Sequence, residues 1–388
     1  MSAFEFRLAS LVLRLLGRVF DRLPARPGRV VLATARLGLL EGNLLALHDA
    51  IRRLRPAADV VFLLEPYGYG LGAKLRYFAR TVRGTYHVRT AGLVVVDNAY
   101  LPVHVAPHRR RTTVVQVWHA TGALKRFGMD TVVAPAEPER TFLHRHYDYV
   151  VASGDASREP WSRALRTPVE HVLALGTPRT DALFDDDEMA AARARVQAAH
   201  PGLAGRRVVL WAPTFRGRGR DRTGARGLDG ERLRALLPAG EFVLAMKTHP
   251  NVDPAVQPTA GFDVVGRPDD NLNDWLAAAD VLLTDYSSSI FEWALLRRPL
   301  VLLVDDLEAY ARDPGLYLDY GTEMIGAQVR DTDAAAAAIL QGAVDEPAWD
   351  AFIARHMGAC DGRASERFVD RFLPAPAGAP AQNGARDR

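Results

Sequence analysis

Short runs of valine and leucine recur along this chain, at spacings that leave room for a helix between them. Each run is four or five residues long and nearly free of polar side chains. Uninterrupted apolar runs of this kind are typical of parallel strands buried on both faces, whereas half-exposed strands alternate polar and apolar residues. The runs in the first half of the chain are 30–33, 60–64, 93–96, 114–117, 149–152 and 172–175.

A second series of such runs follows an acidic and alanine-rich stretch at 185–199. Its members are 208–211, 242–246, 281–284 and 300–304. A chain of 388 residues also favours two domains. We therefore predict an α/β protein with two doubly wound parallel-sheet domains, one over 26–185 and one over 186–373, followed by a disordered tail over 374–388 that is rich in Pro, Ala and Gly. The carboxyl ends of the two sheets are expected to face a common cleft.

The first 25 residues form a separate region, whose apolar stretch 4–20 has nearly the length of a membrane span. Arginines interrupt this stretch and no small-residue cleavage site follows it, so the sequence predicts neither a membrane span nor a signal peptide here. On a helix the arginines fall within about a quarter of the circumference, beside an apolar stripe. The arginines are Arg7, Arg14, Arg18 and Arg22, and the stripe is Leu8, Val12, Leu15, Leu16, Val19 and Leu23. Two interpretations stay open: a peripheral anchor on an anionic membrane, or a helix docked on its own domain.

Composition excludes several classes of protein. The 48% hydrophobic and 24% charged residues are typical of a folded soluble chain and not of a disordered one. The formal charge is only +3 and the basic residues are dispersed, which predicts no nucleic-acid partner. Cys360 is the only cysteine, so the sequence predicts no zinc-type site and fits a reducing, cytosolic setting. No Walker A loop or glycine-rich dinucleotide fingerprint follows a predicted strand, which disfavours P-loop and NAD chemistry.

One polar constellation, over 116–128, overlaps the end of the fourth predicted strand. His119 lies at the strand exit, and Lys125 follows six residues later. A histidine with an ordinary pKa near 6.5 can accept a proton from an attacking hydroxyl at neutral pH, and a lysine nearby can supply charge for a phosphate. The alternative is a structural histidine that is hydrogen-bonded in a turn.

Two further motifs place cations directly after predicted strands. Arg216 follows the strand that ends before Pro213, and its fork of donors suits phosphoryl oxygens. Lys247 and His249 stand on alternate residues, and therefore on one side of an extended chain. Together they can neutralise a diphosphate and stabilise a departing nucleotide. The alternatives are a solvated arginine and a polar loop.

A run of three serines follows the strand 281–284 and precedes a helix that is predicted to continue to about Arg297. Free backbone N–H groups and the helix dipole make such a helix start an anion site. Ordinary capping accounts for one serine but not for three, so we predict phosphate binding here. Glu292, one turn into the helix, is a candidate for contacting the ribose or fixing a partner. The serines are Ser287, Ser288 and Ser289.

In order along the chain, these segments resemble the CDP-glycerol glycerophosphotransferase family of teichoic acid and capsule polymer enzymes. The similarity runs from about residue 90 to 370. Any one of these short strings can arise by chance, but eight in the family's order and approximate spacing leave little room for coincidence. The matching segments are 116–128, 147–153, 176–181, 211–216, 248–250, 284–288, 305–310 and 361–367.

The resemblance implies a GT-B-like pair of Rossmann-type domains and no obligatory catalytic metal. It makes His119 the residue that deprotonates the acceptor hydroxyl, His249 a contact of the donor diphosphate, and Arg216 a phosphate contact. It also adds three predicted substrate-binding residues: Thr284, Asp285 and Arg179. Ala120 and Gly122 stand where many members carry the glycine and proline of a Trp-His-Gly-Thr-Pro sequence, which we interpret as the mark of a subfamily.

The predicted enzyme moves glycerol phosphate from CDP-glycerol to a hydroxyl of a lipid-linked wall, teichoic-acid-like or capsule polymer, and releases CMP. It is expected to use no cofactor and to work as a peripheral protein at the cytoplasmic face of the membrane, with a CDP-polyol donor and a lipid-linked glycan as partners. Two alternatives stay open: a GT-B glycosyltransferase that uses a nucleotide sugar, and a non-catalytic scaffold of a polymer-export complex. The residues do not distinguish glycerol from ribitol, primase from polymerase, or monomer from homo-oligomer.

Overall fold

Each of the ten apolar runs is a strand in the structure. The structure is a computed structural model. It describes residues 3–36, 38–65, 70–131, 143–217, 223–225, 227–248, 252, 258–267 and 270–374. Most of the predicted tail, 375–388, therefore lies outside the described residues.

The first sheet is parallel throughout. Its strands are β1 (Arg26–Thr34), β2 (Asp59–Leu64), β3 (Ala91–Val96), β4 (Thr113–Gln116), β5 (Tyr149–Ala152) and β6 (Val172–Ala174). Across the sheet they run in the order β2-β1-β3-β4-β5-β6. The order reverses between β1 and β3, and ligands bind at such reversals in doubly wound sheets.

The second sheet is also parallel and has the Rossmann order. Its strands are β7 (Arg207–Ala212), β10 (Phe242–Lys247), β11 (Val264–Gly266), β12 (Val281–Thr284), β13 (Leu300–Leu303) and β14 (Ala327–Val329). The order β11-β10-β7-β12-β13-β14 places the reversal between β7 and β12. The short hairpin β8 (Phe215–Arg216) and β9 (Thr223–Gly224) stands beyond the end of β7. The edge strands β11 and β14 contain no run of four apolar residues, so the apolar pattern did not reveal them.

Helices connect the strands and cover both faces of each sheet. Those before residue 200 are α1 (Ala3–Phe20), α2 (Gly42–Leu54), α3 (Leu71–Thr90), α4 (Leu101–His104), α5 (Arg158–Leu165) and α6 (Asp186–Ala199). The later ones are α7 (Gly230–Leu236), α8 (Leu272–Ala278), α9 (Ser289–Leu296), α10 (Leu307–Tyr310), α11 (Tyr320–Glu323), α12 (Thr332–Gln341), α13 (Glu346–His356) and α14 (Ala364–Phe372). A 3₁₀ helix over Pro178–Phe184 joins the two halves.

Successive side chains of β1 point to opposite faces of the sheet, and both faces are covered. Val31 and Ala33 belong to one apolar cluster, whereas Val30 and Leu32 belong to another on the opposite face. All four side chains are fully buried. Since neighbouring residues of a strand point to opposite faces, a strand buried on both sides has to be apolar at every position. The α/β prediction with two parallel sheets is confirmed.

The last helix returns to the first sheet. Phe368 and Val369 of α14 are fully buried in the same cluster as Val30 and Leu32. The connection is fixed further by Arg55, whose Nε donates to the Leu373 carbonyl at 2.7 Å. This differs from the predicted division of the chain, which assigned 186–373 to the second domain. The apolar face of α14 fits either core, and only the folded chain decides between them.

The N-terminal helix α1 is docked on its own domain, which is one of the two interpretations that its sequence leaves open. It packs against α3, burying Ser10 and Leu13, and Arg14 Nε donates to the Val105 carbonyl at 2.6 Å. Its outer side nevertheless carries apolar side chains that are 50–54% exposed: Leu8, Leu11, Leu15 and Val19. Within the described part of the chain, none of the helices has both the length and the apolar character that crossing a bilayer requires.

Candidate active site

The loop that carries His119 begins at the carboxyl end of β4. Trp118 adopts a φ of +49°, a left-handed conformation that non-glycine residues seldom take. Its backbone N donates to Gln116 Oε1 at 2.8 Å, and its indole stacks on Phe127 with 4.7 Å between ring centroids. The strand therefore ends in a tight turn that is held by its own side chains.

His119 is neutral in the folded protein at neutral pH. Burial lowers its pKa to about 3, and the charges of Arg36 and Arg179 act in the same direction. A hydrogen bond with the Asp97 backbone opposes them. An unprotonated imidazole has a free lone pair, so the ring is in the form that can accept a proton.

Beyond His119 the same segment passes into the second half of the molecule. Leu124 is fully buried in the core cluster formed mainly by residues of the second sheet, and Tyr317 in turn packs against the core of the first. Backbone hydrogen bonds join the two stretches: Tyr317 N donates to the Leu124 carbonyl at 2.9 Å, and Arg126 N to the Gly315 carbonyl at 3.0 Å. The segment 118–127 is thus shared between the two cores.

Gly122 explains one of the departures from the more frequent Trp-His-Gly-Thr-Pro sequence. Its φ is +68°, and proline cannot adopt this value because its ring holds φ near −65°. A Cβ at this position would also lie 2.5 Å from Cδ2 of the Phe291 ring on α9. The loop therefore takes a path here that requires glycine.

Arg216 is held by two carboxylates at the reversal point of the second sheet. It binds Asp306 through Nε (2.7 Å) and Nη2 (3.1 Å), and its Nη1 donates to Asp285 Oδ2 at 2.8 Å. Asp285 is fully buried and also accepts from the backbone N and Oγ1 of Thr214, both at 2.9 Å. Although burial lowers the pKa of Arg216, its hydrogen bonds and charge pairing with these carboxylates raise it overall. The guanidinium is permanently charged and fixed in place.

Lys125 brings a second cation to this cluster from the first half of the chain. Its Nζ lies 5.2 Å from the centroid of the Tyr310 ring and 6.0 Å from that of Phe215. Burial lowers the pKa of Lys125 to about 8, with Asp285 opposing and Arg216 reinforcing this effect. An ammonium so close to losing its proton is stabilised strongly by any added negative charge.

The serine run forms the start of α9. Ser289 N donates to Ser287 Oγ at 3.2 Å, and the hydroxyls of these two residues lie 2.8 Å apart. Ser287 and Ser288 are half-buried and Ser289 is buried. The helix ends at Leu296, close to the predicted residue 297. Ser287 Oγ therefore accepts from the first residue of the helix, whereas the N-cap residue, Ser288, makes no capping hydrogen bond through its side chain. All three serines stand at the helix end where the dipole favours anions.

Other predicted contacts are engaged within the protein or lie outside the described residues. Thr284 Oγ1 donates to the Ala212 carbonyl at 2.6 Å and so ties β12 to β7. Lys247 is buried at the end of β10, and its Nζ donates to the Thr248 carbonyl at 3.1 Å. His249 lies outside the described residues, so its predicted contact with the donor diphosphate stays a prediction.

Arg179, predicted as a substrate contact, and Glu292, predicted to contact the ribose or to fix a partner, are partners of one another. Arg179 Nε donates to Glu292 Oε1 at 2.9 Å, and Nη2 forms an ion pair with the same oxygen. The pair joins the first half of the chain to α9 of the second, and the Glu292 side chain is only 1% exposed. Local sequence patterns do not show that two residues 113 positions apart form a pair.

Two residues of this site were not singled out from the sequence. Asn43 stands at the start of α2 and contacts the His119 loop, and Asp306 holds Arg216. The position of Asn43 offered a signal, since polar residues at the first strand-to-helix turn of a doubly wound domain are frequent ligand contacts. Among the described residues, no group of three or more His, Cys, Asp or Glu side chains is arranged to hold a metal ion.

The chain matches the model of a known protein family over most of its length. The model for CDP-Glycerol:Poly(glycerophosphate) glycerophosphotransferase matches residues 15–373. The chain belongs to this family. The protein is therefore an enzyme of the class that transfers polyol phosphate from a CDP-activated donor, as the sequence predicted.

Relatives of this transferase make teichoic acids. A teichoic acid ribitol-phosphate primase of Bacillus spizizenii is 30% identical over 366 residues, which are 92% of this chain and 94% of the primase. A teichoic acid poly(ribitol-phosphate) polymerase of the same species is 29% identical over 363 residues, which cover 92% of this chain but only 58% of the polymerase. A teichoic acid glycerol-phosphate primase of Bacillus subtilis is 24% identical over 258 residues, which are 65% of this chain and 66% of that primase.

Solved structures confirm the fold of the transferase. The wall teichoic acid polymerase TagF superposes with a TM-score of 0.72 at 18% identity, over 95% of this chain and 96% of the other. A putative UDP-N-acetylglucosamine 2-epimerase from Listeria monocytogenes superposes with a TM-score of 0.55 over 89% of this chain and 97% of the other. The GT-B-like prediction of two facing α/β domains is confirmed.

We expect Gly122→Ala to destabilise this transferase more than a glycine replacement that has the same backbone strain but no neighbour. A left-handed backbone costs a non-glycine residue about 1–2 kcal/mol, and overpacking against Phe291 adds about 1–3 kcal/mol. Gly205→Ala is the matched control, because φ is +76° there and no atom lies within 4 Å of the added Cβ. Urea unfolding measures both free energies, and equal losses would mean that Phe291 does not restrict the loop.

The lowered pKa of Lys125 predicts an alkaline limit to activity. For the free enzyme, kcat/KM for the CDP donor should fall as the pH rises above about 8, because the ammonium loses its proton. Lys125→Arg should move this limit upward by at least about one pH unit, since a guanidinium stays protonated. Lys74→Arg, on α3, is the control. An unchanged alkaline limit in Lys125→Arg would assign it to another group.

Proposed function

We propose that this protein transfers a polyol phosphate from a CDP-polyol to a hydroxyl of a lipid-linked wall or capsule polymer, with His119 as the general base. The observation that carries the proposal is the direct connection between the His119 loop and α9, whose start presents three serines. It supports one reaction centre in which a base from the first domain meets a phosphate site of the second.

In this reaction the acceptor hydroxyl loses its proton to the His119 imidazole. Its oxygen forms a bond to the β-phosphorus of the donor, and the bond from that phosphorus to the bridging oxygen of the diphosphate breaks. CMP leaves with the electron pair, and a phosphodiester is formed. The catalysis required of the protein is alignment and charge stabilisation, as is usual in phosphoryl transfer.

Electrostatics support the assignment of roles. The free imidazole of His119 is a weak base because burial and two arginines lower its pKa to about 3. A bound diphosphate adds negative charge, which raises the pKa of a nearby imidazole and makes proton transfer easier. Lys125, the serine hydroxyls and, by prediction, Lys247 and His249 supply positive charge or hydrogen-bond donors for the phosphates.

The donor test is direct. CDP-glycerol or CDP-ribitol should raise the melting temperature of the purified full chain, because a ligand that binds only the folded state stabilises it. With a lipid-linked glycan acceptor, CMP release should fall about 10²–10⁴-fold in His119→Gln, while donor binding changes little. His171→Gln, at an exposed histidine of the first half, is the control.

Two outcomes would contradict the proposal. Stabilisation by UDP-sugars alone would favour glycosyl transfer, the alternative that shares the GT-B-like fold. CMP release that continues at the normal rate in His119→Gln would remove the base from the mechanism. Mass analysis of the product made from each CDP-polyol distinguishes glycerol from ribitol and one added unit from many.

The exposed side of α1 supports a second part of the proposal, namely peripheral attachment to an anionic membrane. Its half-exposed apolar residues stand beside exposed arginines, a combination that fits the boundary between lipid headgroups and acyl chains. Each arginine near an anionic surface contributes about 1 kcal/mol. The exposed arginines are Arg7, Arg14, Arg18 and Arg22, and of these Arg14 also donates to the Val105 carbonyl. Attachment here would hold the first domain near a lipid-linked acceptor.

Vesicle flotation tests this attachment. The full chain should float with vesicles that contain anionic phospholipid, and less so at high salt, because salt screens the arginines. The double variant Leu11→Glu, Leu15→Glu should lose flotation and keep its melting temperature, since both side chains are half exposed. Leu340→Glu, at a position 49% exposed on α12, should float normally. Unchanged flotation of the double variant would exclude α1 as the anchor.

A further inference from the structure

Three consecutive carbonyl groups around His119 are held by side chains from elsewhere in the chain. Asn43 Nδ2 donates to the Trp118 carbonyl at 2.7 Å and to the Val117 carbonyl at 3.3 Å. Arg179 Nη1 donates to the carbonyl of His119 itself at 2.6 Å. Because Trp118 has an unfavourable left-handed backbone, this turn persists only if surrounding contacts hold it.

Asn43 and Arg179 are also fixed to each other. The backbone N of Arg179 donates to Asn43 Oδ1 at 3.0 Å, so both ends of the Asn43 amide group are used. Asn43 is buried and belongs to α2, whereas Arg179 lies in the 3₁₀ helix that leads to the second domain. Asn43 and Arg179, which come from two separate elements, therefore form one hydrogen-bonded bracket around the His119 turn.

The bracket continues across the cleft to α9. Glu292 Oε1 accepts from Arg179, as described above, and from Thr121 Oγ1 at 2.8 Å. Arg179 Nη2 also donates to Thr121 Oγ1 at 3.1 Å. Arg179 thus contacts the turn before and after Ala120, and Glu292 contacts both the arginine and the turn. Removing one partner of a buried pair of this kind is costly, because it leaves the other charge without compensation.

We infer that Asn43, Arg179 and Glu292 form a relay of positioning residues that sets the place of His119 relative to the start of α9. Glu292 lies one helical turn beyond the serines, so a shift of the donor-phosphate site is passed directly to the base. In this assignment Arg179 and Glu292 act through His119 and do not contact the donor. This differs from the predicted substrate contact of Arg179 and agrees with the alternative in which Glu292 fixes a partner. The inference rests on the proposed function of His119 and of the serine run.

The relay predicts a particular kinetic pattern. Misplacing a base by about 1 Å can cost about 10²-fold in rate. Asn43→Ala and Arg179→Lys should therefore lower kcat by about 10- to 100-fold, while the Kd for the CDP donor and the donor KM stay within about threefold of normal. Glu292→Gln should lower kcat less, because the amide oxygen still accepts hydrogen bonds from Thr121 and Arg179 after the charge is removed.

The other end of α9 provides a matched control. Arg297, the C-cap residue of this helix, forms an exposed ion pair with Glu346 at 2.8 Å. Glu346→Gln removes the charge from an arginine–glutamate pair that joins the C-terminal end of this helix to α13, away from the His119 turn. It should leave kcat, KM and donor Kd unchanged. A general loosening of α9 would affect both glutamine variants alike, whereas the relay affects only Glu292→Gln.

Hydrogen exchange supplies a readout that does not need activity. Amide exchange over 117–122 should accelerate at least about tenfold in Asn43→Ala and Arg179→Lys, and stay normal in Glu346→Gln. If the wild-type chain fails to turn over any CDP-polyol, the proposed function fails and this exchange pattern still tests the positioning.

Two results would overturn the relay. One is normal exchange over 117–122 together with normal kcat in Asn43→Ala. The other is a donor Kd that rises in parallel with the fall in kcat in Arg179→Lys, which would return Arg179 to the role of a substrate contact. A fall in kcat that is larger in Arg179→Ala than in Arg179→Lys, without any change in donor Kd, would support positioning.

Discussion

A single stretch of backbone, 118–127, is built into both hydrophobic cores, and the rest of the site depends on it. Trp118 packs in the core of the first sheet, whereas Leu124 is buried with residues of the second. A loop anchored at only one end could move away from the opposite domain. Anchored in both cores, it holds His119 and Lys125, six residues apart, in defined positions at little further entropic cost, because packing has already ordered the chain between them.

Burial determines the charge state of the site before any ligand binds. It holds the pKa of His119 far below its ordinary value and that of Lys125 near 8, so at neutral pH the imidazole is uncharged and the ammonium is charged but close to losing its proton. Arg216 behaves differently, since Asp285 and Asp306 keep it charged and stationary. Arg216 is a fixed cation, whereas the protonation of His119 and Lys125 changes with added charge. This combination suits a polyanionic donor, because oriented charges in a site from which water is excluded need no reorganisation during the reaction.

The two reversal points explain why these side chains meet. In the second sheet, Thr214 follows β7 and Asp285 follows β12, and these strands are neighbours although about 70 residues separate them. In the first sheet the carboxyl ends of β1 and β3 carry Arg36 and Asp97, both of which influence the pKa of His119. Doubly wound sheets gather functional groups at such places because helices leave toward opposite faces there and open a crevice.

Whether a feature could be predicted from the sequence depended on how far apart in the chain the interacting residues lie. The ten long strands, α2 and the end of α9 follow from local patterns, since a strand buried on both faces must be apolar throughout and a helix start favours capping residues. His119, Lys125, Arg216 and the serine run were found because each follows a predicted strand. The edge strands β11 and β14 contain no comparable apolar run.

Pairings between distant residues were decided by the tertiary structure alone. The contact of Arg179 with Glu292, the bracket formed by Asn43, the return of α14 to the first core and the need for glycine at 122 all join parts of the chain that are remote in sequence. Propensity and periodicity describe what one segment prefers, whereas these contacts depend on which surfaces the folded chain brings together. The sequence by itself therefore determined the class of fold and the chemical groups available, and only the packing of the two domains decided which of those groups position the others.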